Sequence, residues 1–473
     1  MSKHSLMALL APGLVLAVHA GHAADLTITS LADAGAGSLR QAIATANATP
    51  GADRIVFQQA GLVTLTTGAL AITDSVEIIG CAGCGVRAQG GSRAFELAGD
   101  PNEAGALTVT LRRLDLSAGA SAQHGGILLA EYATLRIEDS TLRDTTAAGW
   151  GGAIYLDASE AAIVRTRFGG NTADGFGGAI ASNVSALHIE RCTFDLNRAE
   201  SGGGAIWANW SQGAALVVQD STFDRNSAAF DGGAIEAHLP VMKISGSTFL
   251  ANVAEYWAGG ALYVGEDGTG PLEIDNSTFF RNSAPQKGAQ GSAILLESGR
   301  LRLRHVTVAS NFVGIDKSGS HGGAVEVGSD FESQLEMVNS IVADNIVEDG
   351  SPADLVRRHD PQVPNRVDVR HSLIGSAPAP GTINGQASAN LVAVAPGFDT
   401  FGWNGGPTAT ISLRPDSAAC DTGESIAGLA TDQRGRGYAR QWGRADLGAY
   451  EVHGDSIFRD GFEIEPMPIG CAR

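Results

Sequence analysis

One frame of residues recurs nine times between Leu135 and Ile374, and no other feature constrains the chain as strongly. The segment Ile189-Glu190-Arg191-Cys192-Thr193-Phe194, then Asn197, then Gly203-Gly204-Ala205-Ile206, returns as Val218, Phe223, Asn226 and Gly232-Gly233-Ala234-Ile235. It returns again as Ile244, Phe249, Asn252 and Gly259-Gly260-Ala261-Leu262. The anchoring apolar residues are Ile137, Ile163, Ile189, Val218, Ile244, Ile274, Leu303, Met337 and Val369, spaced by 26, 26, 29, 26, 30, 29, 34 and 32 residues. A period of this size marks a repeat architecture. Within a copy the apolar residues alternate over short runs, as in Leu272-Glu273-Ile274, which is strand periodicity rather than helix periodicity. The Gly-Gly pair found in most copies is hostile to helix. Each copy therefore reads as one coil of a parallel β-helix, with short strands joined by turns and each coil stacked on the last.

The columns make physical sense in that frame. Five residues after each anchor stand Leu142, Phe168, Phe194, Phe223, Phe249, Phe279, Val308, Val342 and Ile374, which would stack into a continuous core. Two residues before them stand Ser140, Thr166, Cys192, Ser221, Ser247, Ser277, Val306, Ser340 and Ser372, small enough to line a tight inner corner. Between anchor and corner, Asp139, Arg165, Arg191, Asp220, Gly246, Asn276, His305, Asn339 and His371 form a turn column. Its Gly, Asn and Asp members tolerate a left-handed backbone, so a sharp turn is expected there. Asn171, Asn197, Asn226, Asn252, Asn282, Asn311 and Asn345 fall in register three residues after the Phe column, where their amides can bond from coil to coil.

The flanks differ from the repeats. Residues 1–23 read as a secretory signal peptide, with an apolar run through Leu9, Leu10, Leu14 and Val18 followed by Ala20, Gly21 and Ala23. Residues 24–60 read as an N-terminal cap. In it Ser38 caps an amphipathic helix that turns Leu39, Ile43 and Ala46 to one face, a lid for the open end of the core. Residues 61–390 are the β-helix, 391–452 a module expected to close its other end, and 453–473 a tail. The architecture predicted is all-β, a right-handed single-stranded parallel β-helix of about a dozen coils, ~60 Å long at one strand spacing per coil.

A formal net charge of −19 argues against nucleic acid or anionic lipid as the main partner. No segment after residue 23 is long and apolar enough for a membrane span. Cys81 and Cys84 suit a local disulfide in an exported chain, Cys192 reads as buried packing in the corner column, and Cys420 and Cys471 are left as a long-range staple. No metal site and no cofactor are expected.

Specific motifs extend this reading. Gly37-Ser38-Leu39-Arg40-Gln41-Ala42-Ile43 followed by Ile55-Val56-Phe57 resembles the N-terminal signature of secreted bacterial proteins of the CSLREA type. The Gly-Gly-Ala-Ile and Ser-Thr-Phe…Asn frames resemble the repeats of polymorphic outer-membrane-protein-like β-helices. Asn404-Gly405-Gly406-Pro407-Thr408, Arg414-Pro415-Asp416-Ser417-Ala418, Thr431-Asp432-Gln433-Arg434-Gly435 and Asp446-Leu447-Gly448-Ala449-Tyr450-Glu451 resemble the choice-of-anchor Q domain, with Cys420 standing where that family carries an aliphatic residue. The resemblance implies an extracellular or cell-surface β-helix, with the periplasm as an alternative location, and no defined reaction.

Three functional readings follow: a structural or adhesin-like rod, a glycan-binding module, and a polysaccharide lyase or glycoside hydrolase acting on an extended acidic polysaccharide. The chain contains no Asp-Asp pair, and its closest approach to a Gly-His-Gly is Ser320-His321-Gly322. Asp139 and Asp220, with Arg165 and Arg191 between them, are explained by turn formation and solvated charge. The glycan-binding reading rests on the column that follows each Gly-Gly step. Tyr155, Trp207, Glu236 and Tyr263, with His238 two residues beyond Glu236, are expected to form one exposed face for a polysaccharide or another surface component. Trp150, Phe176, Phe230 and Trp257 are expected to roof the core at a turn. The chain is expected to be monomeric.

Overall fold

The computed structural model describes residues 24–453, apart from 90, 104, 210–213, 266–269, 271, 315–321, 329–330, 359–360 and 441–442. The segment read as signal peptide and the tail after His453, with Cys471 and His321, lie outside the described residues. The chain winds as a right-handed parallel β-solenoid of about 12 turns. Its coils contribute strands to four parallel sheets, of 14, 13, 11 and 9 strands. The anchor residues build the 14-stranded sheet, the Phe column the 13-stranded sheet, and the residues after each Gly-Gly step the 11-stranded sheet.

Every column read from the sequence is in register. Ile137 pairs with Ile163, Ile163 with Ile189, Ile189 with Val218, and so on to Val369. The rings of Phe168, Phe194, Phe223, Phe249 and Phe279 stack face to face, with centroids 4.7, 4.8, 4.8 and 4.4 Å apart, and all are fully buried. All nine turn-column residues are left-handed, from φ 44° at His371 to φ 60° at Gly246. Arg165, Arg191, His305 and His371 adopt this conformation as well, against a cost of about 1–2 kcal/mol each. The coil above and below over-determines the turn.

Two side-chain ladders supply that determination. In the first, Asn171 Nδ2 donates to Asn197 Oδ1, and the pattern repeats through Asn226, Asn252, Asn282, Asn311 and Asn345 at 2.8–3.0 Å. Thr145 Oγ1 closes one end on Asn171 Oδ1, and Asp354 Oδ1 accepts from Asn345 Nδ2 at the other. The second ladder was not apparent from sequence, where the corner column suggested only small size. Ser221, Ser247 and Ser277 Oγ accept the backbone N–H of Cys192, Ser221 and Ser247 in the preceding coil at 3.1–3.2 Å. These N–H groups follow the left-handed residue, where the sheet ladder is interrupted, and burial without an acceptor would be costly.

The Gly-Gly step has a steric cause. Gly203 is left-handed at φ 66°, and a Cβ on Gly204 would meet the Gly233 carbonyl of the next coil at 2.1 Å. At the N-terminal end the helix Leu39–Ala46 is capped by Ser38, whose Oγ accepts from Gln41 N–H at 3.2 Å. Leu39, Ala42, Ile43 and Ala46 are buried in the main core. Cys81 and Cys84 are joined by a disulfide, and Cys192 is a buried free thiol, pushed up to about 12 by burial.

The C-terminal module departs from the expected end-closing position. Leu391–Val392 forms the last strand of the Phe-column sheet, but the antiparallel pair Phe398–Gly402 and Thr410–Leu413 and the chain beyond it form a strap along the solenoid's flank. Thr408 Oγ1 donates to Gly246 O at 2.7 Å, and Arg440 Nη2 to Asn276 Oδ1 at 2.6 Å. Ala449 N donates to Thr307 Oγ1 at 2.9 Å, and Asn339 Nδ2 to Glu424 O at 2.6 Å. The strap thus reads the turn column coil by coil. Where it lies, that column is Gly246, Asn276, His305, Asn339 and His371. Where it is absent, the column is Asp139, Arg165, Arg191 and Asp220, joined by surface ion pairs such as Arg165 to Asp139.

Candidate functional site

The residues expected to form one exposed face do share a strand column. Tyr155 pairs with Ala181, Ala181 with Trp207, Trp207 with Glu236, and Glu236 with Tyr263. Their exposure was misjudged. Tyr155 is 7 % exposed and Trp207 5 %. They point out of the coil but lie under a second layer, in a satellite cluster with Trp150 and Phe176. Trp207 packs 5.1 Å from Trp150 and 5.0 Å from Phe176, and Tyr155 stacks on His124 at 4.6 Å. Burial pushes the Tyr155 hydroxyl up to about 12. Trp207→Ala is therefore expected to lower stability by about 3 kcal/mol, as for other large-to-small changes at buried rings. Chemical denaturation measures this.

The expectation for the turn aromatics divides. Trp150 and Phe176 do form a roof. Phe230 and Trp257 do not: Trp257 is 64 % exposed, and Tyr256 and Phe230 stand exposed beside it. The reason lies in the residue before each Gly-Gly step, which reads His124, Trp150, Phe176, Gly202, Asp231, Ala258. Rings cover the column for three coils and then stop. A Cβ on Gly202 would lie 1.5 Å from Glu236 Oε2, so the missing side chain leaves the space that this carboxylate fills. That spacing pattern was legible in the sequence, because the aromatic run ends at Gly202.

Past the break the surface opens into a groove of about 470 Å³. Tyr256, Trp257, Tyr263 and Phe331 line it together with Asp231, Glu297, Lys287, Gln286 and Gln290. Of the five residues expected on the binding face, Tyr263 lines the groove, and Glu236 and His238 lie beside it. His238 Nε2 is 2.8 Å from Glu236 Oε1, and its ring is 5.7 Å from that of Tyr263. Glu236 is 6 % exposed, and its Oε2 has no hydrogen-bond partner among the described residues; nor has Asp231 Oδ1. Burial, reinforced by the negative charge of Glu236, pushes the Asp231 carboxyl up to about 7, and His238 opposes this only partly. Sequence reasoning missed Asp231, Trp257 and Glu297 as site residues because the same face is roofed in the earlier coils and opens only past Gly202. Among the described residues no group of three His, Cys, Asp or Glu could hold a metal ion.

Residues 60–249 match the family model of the right-handed β-helix region. No curated protein and no solved structure matches the chain. The family match covers the regular coils through Phe249 and stops short of most of the groove, so the groove is read from its own geometry.

The raised Asp231 carboxyl has a consequence for stability. In the unfolded chain it would titrate near 4, so between about pH 4 and 7 the folded state holds the extra proton. The folded state therefore loses stability through this group as pH rises across that window. Asp231→Asn is expected to have little effect on Tm at pH 4 and to raise stability at pH 8 by about 2 kcal/mol. Thermal melts of both proteins from pH 4 to 8 check the sign.

Proposed function

We propose that the chain is an exported β-solenoid that engages a neutral polysaccharide in the groove around Trp257. The observation that carries this reading is the coincidence of exposed rings and carboxylates in one groove: Tyr256, Trp257 and Phe331 beside Asp231 and Glu297. Exposed rings stack on the apolar faces of sugars, and carboxylates and amides bond to hydroxyls. The charge balance argues for an uncharged ligand. In the groove Glu297 balances Lys287, the buried Glu236 beside it adds negative charge, and the whole chain carries a formal charge of −19. A polyanionic chain would meet like charge there. Export is supported by the leader-like composition of residues 1–23 and by the Cys81–Cys84 disulfide, a bond that persists in oxidising compartments. The regular rod and its flanking strap fit a surface role in which the solenoid presents the groove.

The test is a glycan array carrying neutral and acidic polysaccharides, followed by titration of the best ligand. Trp257→Ala is expected to weaken binding about fivefold, the loss of roughly 1 kcal/mol for a stacked ring, with Tm unchanged because the side chain is exposed. Equal binding by the variant, or binding confined to acidic glycans, would remove this reading.

A further inference from the structure

The groove holds more acid than sugar recognition requires. Two carboxylate oxygens, Asp231 Oδ1 and Glu236 Oε2, are buried without a hydrogen-bond partner among the described residues. Leaving such groups unsatisfied is costly, and a fold retains them where they are used. Gly202 supplies the space for one of them, so the arrangement is built into the coil that precedes it. Glu236 is fixed from its other side by His238. Asp231 lines the groove together with the exposed rings of Tyr256 and Trp257, and Glu297 lines it two coils further on. Two coils correspond to roughly 10 Å along the axis.

Resting on the glycan reading, we propose that the groove hydrolyses the polysaccharide it binds, with Asp231 as the proton donor and Glu297 as the base. Glu236 is a positioning residue whose negative charge keeps the proton on Asp231. As the bond between the anomeric carbon and the glycosidic oxygen breaks, the Asp231 proton passes to that oxygen and the leaving sugar departs as a free alcohol. Water adds to the anomeric carbon and gives its proton to Glu297. A proton returns from Glu297 to Asp231 through solvent, so the only change is one bond hydrolysed. The chemistry needs two carboxyls in opposite protonation states flanking the bond. The buried pair provides the protonated one: Asp231 is held up to about 7 while Glu297 stands on a different coil. A lyase would need a base beside a uronic acid and a cation to neutralise its carboxylate. The acidic groove offers the reverse.

The experiment uses the full chain with xylan, mixed-linkage glucan, mannan and chitin oligosaccharides. New reducing ends and binding by affinity electrophoresis are measured in parallel from pH 4 to 9. The expected result is turnover of at least one of these by the native chain, falling on the alkaline side as Asp231 loses its proton. Asp231→Asn and Glu297→Gln are each expected to lower turnover at saturating glycan by at least about 100-fold, the lower bound for loss of an acid or base. The Asp231→Asn protein should also melt higher at pH 8, which shows that it is folded. Binding without new reducing ends at any pH would overturn hydrolysis and leave the glycan reading standing. Absence of binding would overturn both. Undiminished turnover by Asp231→Asn would overturn the assignment of the acid.

Discussion

Asn252→Leu is expected to lower the stability of the solenoid by about 4 kcal/mol, although leucine is close in size and more hydrophobic. Asn252 Oδ1 accepts from the Asn226 backbone N–H at 3.0 Å and from Asn226 Nδ2 at 2.9 Å. Its own Nδ2 donates to Phe223 O at 3.0 Å and to Asn282 Oδ1 at 2.9 Å. Leucine would leave the Asn226 N–H buried without its acceptor and take one partner each from Asn226 Nδ2, Phe223 O and Asn282 Oδ1 in the two adjoining coils. The cost comes from the groups left behind more than from the residue removed. Denaturant titration against the exposed-surface control Arg225→Ala, expected to shift stability by less than about 0.5 kcal/mol, separates the ladder from general sensitivity.

The second large effect is expected at Arg440→Met. Arg440 is fully buried between strap and solenoid. It donates to Asn276 Oδ1 at 2.6 Å and to the carbonyls of Gly448 and Ala449, and its Nη1 lies 3.6 Å from Glu451 Oε2. Methionine fills much of the volume but strands Glu451 and Asn276 in the interior. Removing one partner of a buried pair costs about 3–5 kcal/mol. Because the strap is held by contacts with the turn column, the loss should fall on the strap first. Limited proteolysis is expected to cut the chain after residue 396 while the far-ultraviolet β signal persists. Burial already pushes the Glu451 and Asp446 carboxyls upward. The variant should therefore release its strap more readily as pH rises, since a carboxyl raised in the folded state loses its contribution when it ionises. A variant that melts in one step with the rod would contradict a separable strap.

The register of the rod was legible in the sequence because each column answers to one physical demand repeated in every coil. A ring must stack on a ring at Phe194 and Phe223, and an amide must meet an amide at Asn197 and Asn226. The turn column was legible at Asp139 and Gly246, whose types tolerate the left-handed region. It was not legible at Arg165 or His305, where ladders in adjoining coils override the residue's own preference. The strap was written in the sequence but read too narrowly. The residue after the Phe column passes from Asp195 and Asp224 to Leu250, Phe280 and Ala309. That drift toward apolar types marks a covered flank, and Phe280 stacks on Phe401 of the strap at 4.5 Å. The site was harder. Alternation told which side chains leave the coil, and Tyr155, Trp207 and Tyr263 do leave it. Whether an outward ring meets solvent depends on the preceding turn, and only the change from Phe176 to Gly202 and Asp231 carries that information.

The most direct test of the glycan groove is a crystal structure of the full chain grown with a neutral oligosaccharide from the array. A sugar ring is expected stacked on Trp257, with its neighbour lying between Asp231 and Glu297 and the Tyr155–Trp207 cluster still sealed beneath Trp150 and Phe176. A sugar bound on the first coils, with Trp150 displaced and Trp207 uncovered, or bound away from Trp257 altogether, would contradict it.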